Sequence, residues 1–130
     1  MENKKNYPKE IFSGFITQFD VEVLECTKDM LRACWHVRPG DLNSADIAHG
    51  GASFSVADAL CAVLGYEDRH VLTKSSHFYY YYPVEQGDVE IICRVSRKGS
   101  FTSLMEVELI QNEKVCMKGF FDMAKMKEKA

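Results

Sequence analysis

The sequence predicts an α+β domain in which one curved antiparallel β-sheet wraps around one long central α-helix. Two observations carry that expectation. Six segments concentrate β-branched and aromatic residues between turn signals, whereas only residues 52–66, ASFSVADALCAVLGY, form a long apolar stretch of helical length. That stretch is apolar on nearly all sides, with Ala52, Phe54, Val56, Ala57, Leu60, Cys61, Ala62, Val63 and Leu64 covering its wheel, and a helix of this kind is buried. One helix cannot sandwich between two sheets this small, so a single sheet must curl around it, which is the hotdog arrangement.

The elements follow in order. Residues 1–18 form an N-terminal segment whose first residues fray and which carries a short helix over 8–15. Residues 20–26 and 30–37 read as strands joined by a turn at 27–29, and Pro39-Gly40-Asp41 stops the second strand. A polar connection over 41–48 leads into His49-Gly50-Gly51 and then into the helix, which ends near Gly65. Residues 71–82 form a strand ending at Pro83. Strands over 88–96, 101–110 and 115–123 follow, with turns at 85–87, 97–99 and 112–113. Taken in chain order, these last four strands form a meander, and residues 124–130 form a solvated tail. No repeat, low-complexity tract or linker divides the 130 residues, which read as one domain.

Composition narrows the function. Apolar residues make up 46% and charged residues 27%, the balance of a soluble globular protein, and the net charge of −3 argues against nucleic acid as the main partner. The opening MENKKNYPKE lacks the apolar core of a signal peptide, and the longest apolar run, 52–64, is short and interrupted by Ser and Asp, which excludes a membrane span. Five cysteines occur with no CxxC pair, so free thiols in a reducing cytoplasm are expected, with neither a disulfide framework nor a metal site.

Asp58 is the residue at odds with its surroundings, being the single charge within the apolar helix. A carboxylate buried there is costly unless paired, so it is either a functional group or the partner of a buried Arg or of neighbouring backbone. Gly50 and Gly51 at the helix start permit close backbone approach and leave N–H groups at the positive end of the helix dipole, which suits an oxyanion or polarised carbonyl as well as a plain tight turn. Gly50 and Asp58 are eight residues apart, about 12 Å along a helix. Both cannot reach one reacting carbon from the same chain. If both act, two antiparallel helices from different subunits must lie side by side, which predicts a homodimer with two sites across its interface.

The run from Leu42 to Tyr66 resembles the signature of the PaaI-type, 4-hydroxybenzoyl-CoA-thioesterase-like hotdog family: Asn43, then His49-Gly50-Gly51 six residues on, then Asp58 nine residues after the His. The strand ending at Tyr82-Pro83 and the following Gly87-Asp88 match the family's next strand and turn. The Arg97-Lys98-Gly99 turn sits where the family has a glycine turn, so the resemblance spans about residues 30–123. It implies hydrolysis of an acyl-CoA thioester with no metal and no organic cofactor, coenzyme A being part of the substrate. By that analogy Gly50 N–H and Asn43 polarise the thioester carbonyl, and Asp58 of the partner subunit acts as general base or nucleophile. His49 orients the site or meets the leaving sulfur, and Thr73 holds the water. Ser75 and His77 alternate onto the same face as Thr73. Together with Gly51, Tyr80, Tyr82 and Pro83 they are candidates for binding the substrate. Arg97, Lys98, Gly99 and Ser100 are candidates for the CoA phosphates. Dimers pairing into tetramers are expected. Two other readings remain: a hydratase or dehydratase of enoyl or β-hydroxyacyl thioesters, and a non-catalytic acyl-CoA binder. The position of Asp58 within the helix and the Asn43 spacing favour hydrolysis.

Overall fold

The computed structural model describes Tyr7 and residues 9–127. Two 3-10 turns, Lys9–Phe12 and Gly14–Gln18, stand where a short helix is expected, and Pro8 lies outside the described residues. Strands β1 (Val21–Cys26) and β2 (Met30–Val37) precede the helix α1 (Gly50–Gly65), and β3 (Val71–Tyr80), β4 (Gly87–Lys98), β5 (Thr102–Gln111) and β6 (Lys114–Lys125) follow it. All six strands join one antiparallel sheet in the order β1-β2-β4-β5-β6-β3.

The sheet order corrects the expected four-strand meander. Only β4, β5 and β6 run as neighbours in sequence, while β3 crosses to the far edge and pairs with β6. Burial explains the difference. Val89, Ile91 and Cys93 of β4 are fully buried and alternate with outward positions, as an interior strand requires, whereas β3 is exposed along most of its length. The helix carries the chain across the sheet between β2 and β3, and β4 then returns to lie against β2.

Alternation builds the core. On β2, Leu31, Ala33, Trp35 and Val37 point inward with Arg32, Cys34 and His36 outward, and on β5 Met105, Val107 and Leu109 do the same. Against this floor α1 buries Val56, Ala57, Leu60, Cys61, Val63 and Leu64. The hairpin at 112–113 is a two-residue loop in which Asn112 and Glu113 both take positive φ (53° and 59°), the conformation that matches the strand twist. Two ends differ from expectation. β4 runs on through Lys98, displacing the turn expected at 97–99, and Lys125 belongs to β6 opposite Val71 instead of to a tail. Residues 128–130 lie outside the described part. No disulfide joins cysteines among the described residues, and none of the helices there is long and apolar enough to cross a membrane.

Candidate active site

The helix begins two residues earlier than its apolar pattern, so Gly50 and Gly51 form its first turn and His49 is the N-cap. The His49 imidazole accepts the Gly51 N–H at Nδ1 (2.9 Å), which places the proton of the neutral ring on Nε2. A Cβ on Gly51 would sit 3.1 Å from the His49 ring, so the cap depends on the glycine. The Gly50 N–H, one of the orphan donors of the first turn, makes no hydrogen bond to another group among the described residues. Across from it, the Tyr80 hydroxyl donates to the Gly50 carbonyl (2.8 Å), and the ring stands 3.3 Å from where a Gly50 Cβ would be. Burial pushes the Tyr80 phenol above its ordinary pKa, which keeps it a donor at neutral pH.

Asn43 organises the loop before the helix. Its Oδ1 accepts the N–H groups of Ala45 (2.9 Å) and Ile47 (3.3 Å), which leaves its NH2 as the group able to meet a ligand. Asn43, His49, Gly50 and Gly51, together with Tyr80 at the end of β3 and Tyr82 and Pro83 just after it, surround a cavity of about 470 Å³. Tyr81 and Met117 also line it and were not anticipated. The Met117 position shows no signal in the sequence, because only the pairing of β3 with β6 brings it there.

The other half of the expected machinery lies further along the helix. The Thr73 hydroxyl donates to Asp58 Oδ1, so Thr73 meets the carboxylate directly. Asp58 is half-buried in the single chain and has this one hydroxyl as partner, which corrects the expectation of a carboxylate enclosed by apolar groups. Its neighbourhood is a second cavity of about 300 Å³, walled by Phe54, Ala59 and Ala62 of α1 and by Ile11, Phe15 and Ile16 of the N-terminal turns. The recurrence of apolar residues at 11, 12, 15 and 16 is the signal that marks this segment as packed against the helix.

Two further expectations change. A bulge between Thr73 and Ser75 breaks the alternation of β3, so that Thr73 pairs with inward Met123 while Ser75 pairs with Asp122 and His77 with Phe120 on the outer face. Ser75 and His77 are therefore turned away from Thr73. His77 stacks on Tyr79, and Tyr79 on Tyr81, along that outer face, while Phe78 and Tyr80 face the helix. At the β4–β5 turn, the Gly99 N–H donates to the Thr102 carbonyl (2.9 Å) and is not free for a phosphate. Lys98 pairs with Glu67 (3.0 Å), and this contact, with Lys125 added, holds the Glu67 carboxyl below its ordinary pKa. Lys98 borders a separate cavity of about 620 Å³ at the helix C-terminus, and Gly99 and Ser100 border another of about 20 Å³. Neither these residues nor Arg97, at the exposed end of β4, join the Asn43 and Gly50 cavity within one chain.

Comparison with known proteins places the fold and the family. Residues 38–124 match the model of the acyl-CoA thioesterase N-terminal domain family. No curated protein sequence matches the chain. Among solved structures, a conserved protein of Pseudomonas aeruginosa superposes with a TM-score of 0.85 at 21% identity, over 93% of this chain and 100% of that one. A Streptococcus mutans protein bound to acetyl-CoA gives 0.84 at 21% identity, over 96% and 100%. The Escherichia coli PaaI protein of the phenylacetic acid degradation operon gives 0.73 at 18%, over 82% and 80%. The sheet wrapped around α1 and the matched family model together assign this chain to the hotdog-fold acyl-CoA thioesterases, a family of thioester hydrolases.

Proposed function

We propose that the protein hydrolyses an acyl-CoA to the free acid and CoA at two sites built across a homodimer, each joining Asp58 and Thr73 of one subunit to Asn43, His49 and Gly50 of the other. The observation that carries this reading is the split of the machinery along α1. An unpaired N–H at Gly50 and a carboxylate at Asp58 lie about 12 Å apart on one helix, each beside its own cavity. Two antiparallel helices bring the halves together, and dimers of this kind pairing into tetramers fit the same chain.

In this site the thioester carbonyl oxygen lies against the Gly50 N–H and the Asn43 NH2. Asp58, held by Thr73, takes a proton from a water that attacks the carbonyl carbon, and the oxyanion forms on the Gly50 N–H. Collapse breaks the carbon–sulfur bond and expels the CoA thiolate, which receives the proton from the Asp58 carboxyl. His49, fixed by Gly51 with its proton on Nε2, is placed to donate to the leaving sulfur. Direct attack by Asp58, forming an acyl anhydride that water then cleaves, uses the same groups. Neither route calls for a metal or an organic cofactor. The acetyl-CoA held by the Streptococcus mutans relative supports CoA as the carrier.

Free-thiol release from a panel of short, long and aromatic acyl-CoAs tests the proposal, with the signal of the protein's own cysteines subtracted. Wild type should turn over at least one of them, and Asp58→Asn should lose about a hundredfold or more in kcat. No release from any thioester while CoA still binds would replace the hydrolase reading with the hydratase or the acyl-CoA binder.

A further inference from the structure

The outer face of the sheet, on the side away from α1, carries a cluster that plays no part in the hydrolysis. Cys34 and His36 are successive outward positions of β2, and Asp88 pairs directly with His36 across the β2–β4 ladder. The sulfur of Cys34 lies 3.8 Å from His36 Nδ1, and Asp88 Oδ1 lies 2.6 Å from the same nitrogen. All three donor atoms fall within 4.8 Å of one another, and they form the one group of three such ligating side chains found among the described residues. On the far side of the ring, His36 Nε2 faces the Glu22 carboxylate of β1 at 3.9 Å.

We propose that Cys34, His36 and Asp88 form a zinc site, with water completing the tetrahedron. The distances are close to those a metal needs. Zn–S near 2.3 Å and Zn–N or Zn–O near 2.0–2.2 Å put tetrahedral ligand atoms roughly 3.4–3.6 Å apart. The Cys34–His36 separation of 3.8 Å is slightly longer than this and the Asp88–His36 separation of 2.6 Å is shorter, so the Asp88 side chain, 73% exposed, must rotate off Nδ1 and towards the sulfur on binding. Two hydrogen-bonded strands hold the donors, so little ordering remains to be done on binding.

The donor set chooses the metal. Thiolate and imidazole together favour zinc over magnesium or calcium, which take oxygen ligands. In the metal-free chain Nδ1 donates its proton to Asp88, and on binding that proton leaves Nδ1, so that Nδ1 takes the metal while Nε2–H points towards the Glu22 carboxylate at 3.9 Å, beyond hydrogen-bond reach. Burial and the nearby Asp88, Glu22 and Asp20 hold the Cys34 thiol above its ordinary pKa, so the metal-free chain keeps the proton there. Binding forms the Zn–S bond and releases that proton to solvent. Glu90, the residue opposite Cys34 on β4, is turned to Arg32 (4.0 Å) and lies outside the set. The site ties β2 to β4 on the face away from α1, so its effect is on stability and not on hydrolysis.

The experiment uses the full chain, stripped with a chelator and dialysed. Zinc is titrated in competition with a chromogenic chelator, and cobalt(II) is bound in its place for its spectrum. The site predicts one equivalent per chain, a thiolate-to-cobalt charge-transfer band and tetrahedral d–d bands. Cys34→Ser should abolish the charge-transfer band, and both it and His36→Gln should weaken zinc by about tenfold or more. Asp58→Asn should leave binding unchanged, which separates this site from the thioester chemistry. A lack of saturable binding, a cobalt spectrum without the thiolate band, or a band that persists in Cys34→Ser would each overturn the proposal. The His36→Gln result stands on its own if the serine variant fails to fold.

Discussion

Thr73→Val is the substitution that most directly tests how the carboxylate is held. Valine keeps the shape of threonine and removes only the hydroxyl that donates to Asp58 Oδ1. A hydrogen bond to a charged acceptor contributes about 1.5–3 kcal/mol, and because Asp58 is half-buried the lower end applies. About 1.4 kcal/mol is a factor of ten in rate, so kcat should fall roughly tenfold with KM nearly unchanged. Thr73→Ser restores the hydroxyl and should lie within about threefold of wild type, the change expected from a lost methyl and not a lost hydrogen bond. The decisive measurement is the double variant. If Thr73 acts only through Asp58, Asp58→Asn combined with Thr73→Val should be no slower than Asp58→Asn alone, because the hydroxyl has no carboxylate left to position. Steady-state thiol release on the preferred acyl-CoA reads wild type and all four variants. Full additivity of the two losses, or a Thr73→Val enzyme with wild-type kcat, would refute the reasoning.

Two other substitutions separate activity from stability. In Gly51→Ala the new Cβ meets the His49 ring at 3.1 Å and turns it off the Gly51 N–H. The lost cap costs about 0.5–2 kcal/mol while alanine gains about 1 kcal/mol of helix propensity, so Tm should barely move as kcat drops. His36 has its pKa raised above 6.5, first through its hydrogen bond to Asp88. The stability from this pair is therefore full below the unfolded-state pKa and is lost as pH rises through the folded-state value. Urea midpoints measured in chelator between about pH 6 and pH 8 should fall with pH in wild type and fall less in His36→Gln. Equal slopes for the two proteins would remove His36 from the account.

Much of this protein is legible in its local chemistry. The alternation of Leu31, Ala33, Trp35 and Val37 marks β2 to the residue, and the apolar wheel around Asp58 marks a buried helix with one group out of place. The Asn43, His49-Gly50-Gly51 and Asp58 spacing resembles the family's signature, and helix rise alone puts Gly50 and Asp58 about 12 Å apart. Such features are legible because period, capping and rise depend only on residues within a few positions of one another.

What depends on non-local pairing needed the tertiary structure. β3 could take the edge beside β6 because α1 spans the sheet, and no residue in β3 encodes that choice by itself. The bulge between Thr73 and Ser75 reverses the alternation, which sends Ser75 and His77 outward and leaves Thr73 on Asp58. Lys98 meets Glu67 across 31 residues, and Asp88 meets His36 across 52, so neither contact has a spacing that a motif could reveal. The candidate residues stand in a local pattern, but which of them face one another was decided by strand register, because a one-residue slip moves every side chain to the other face.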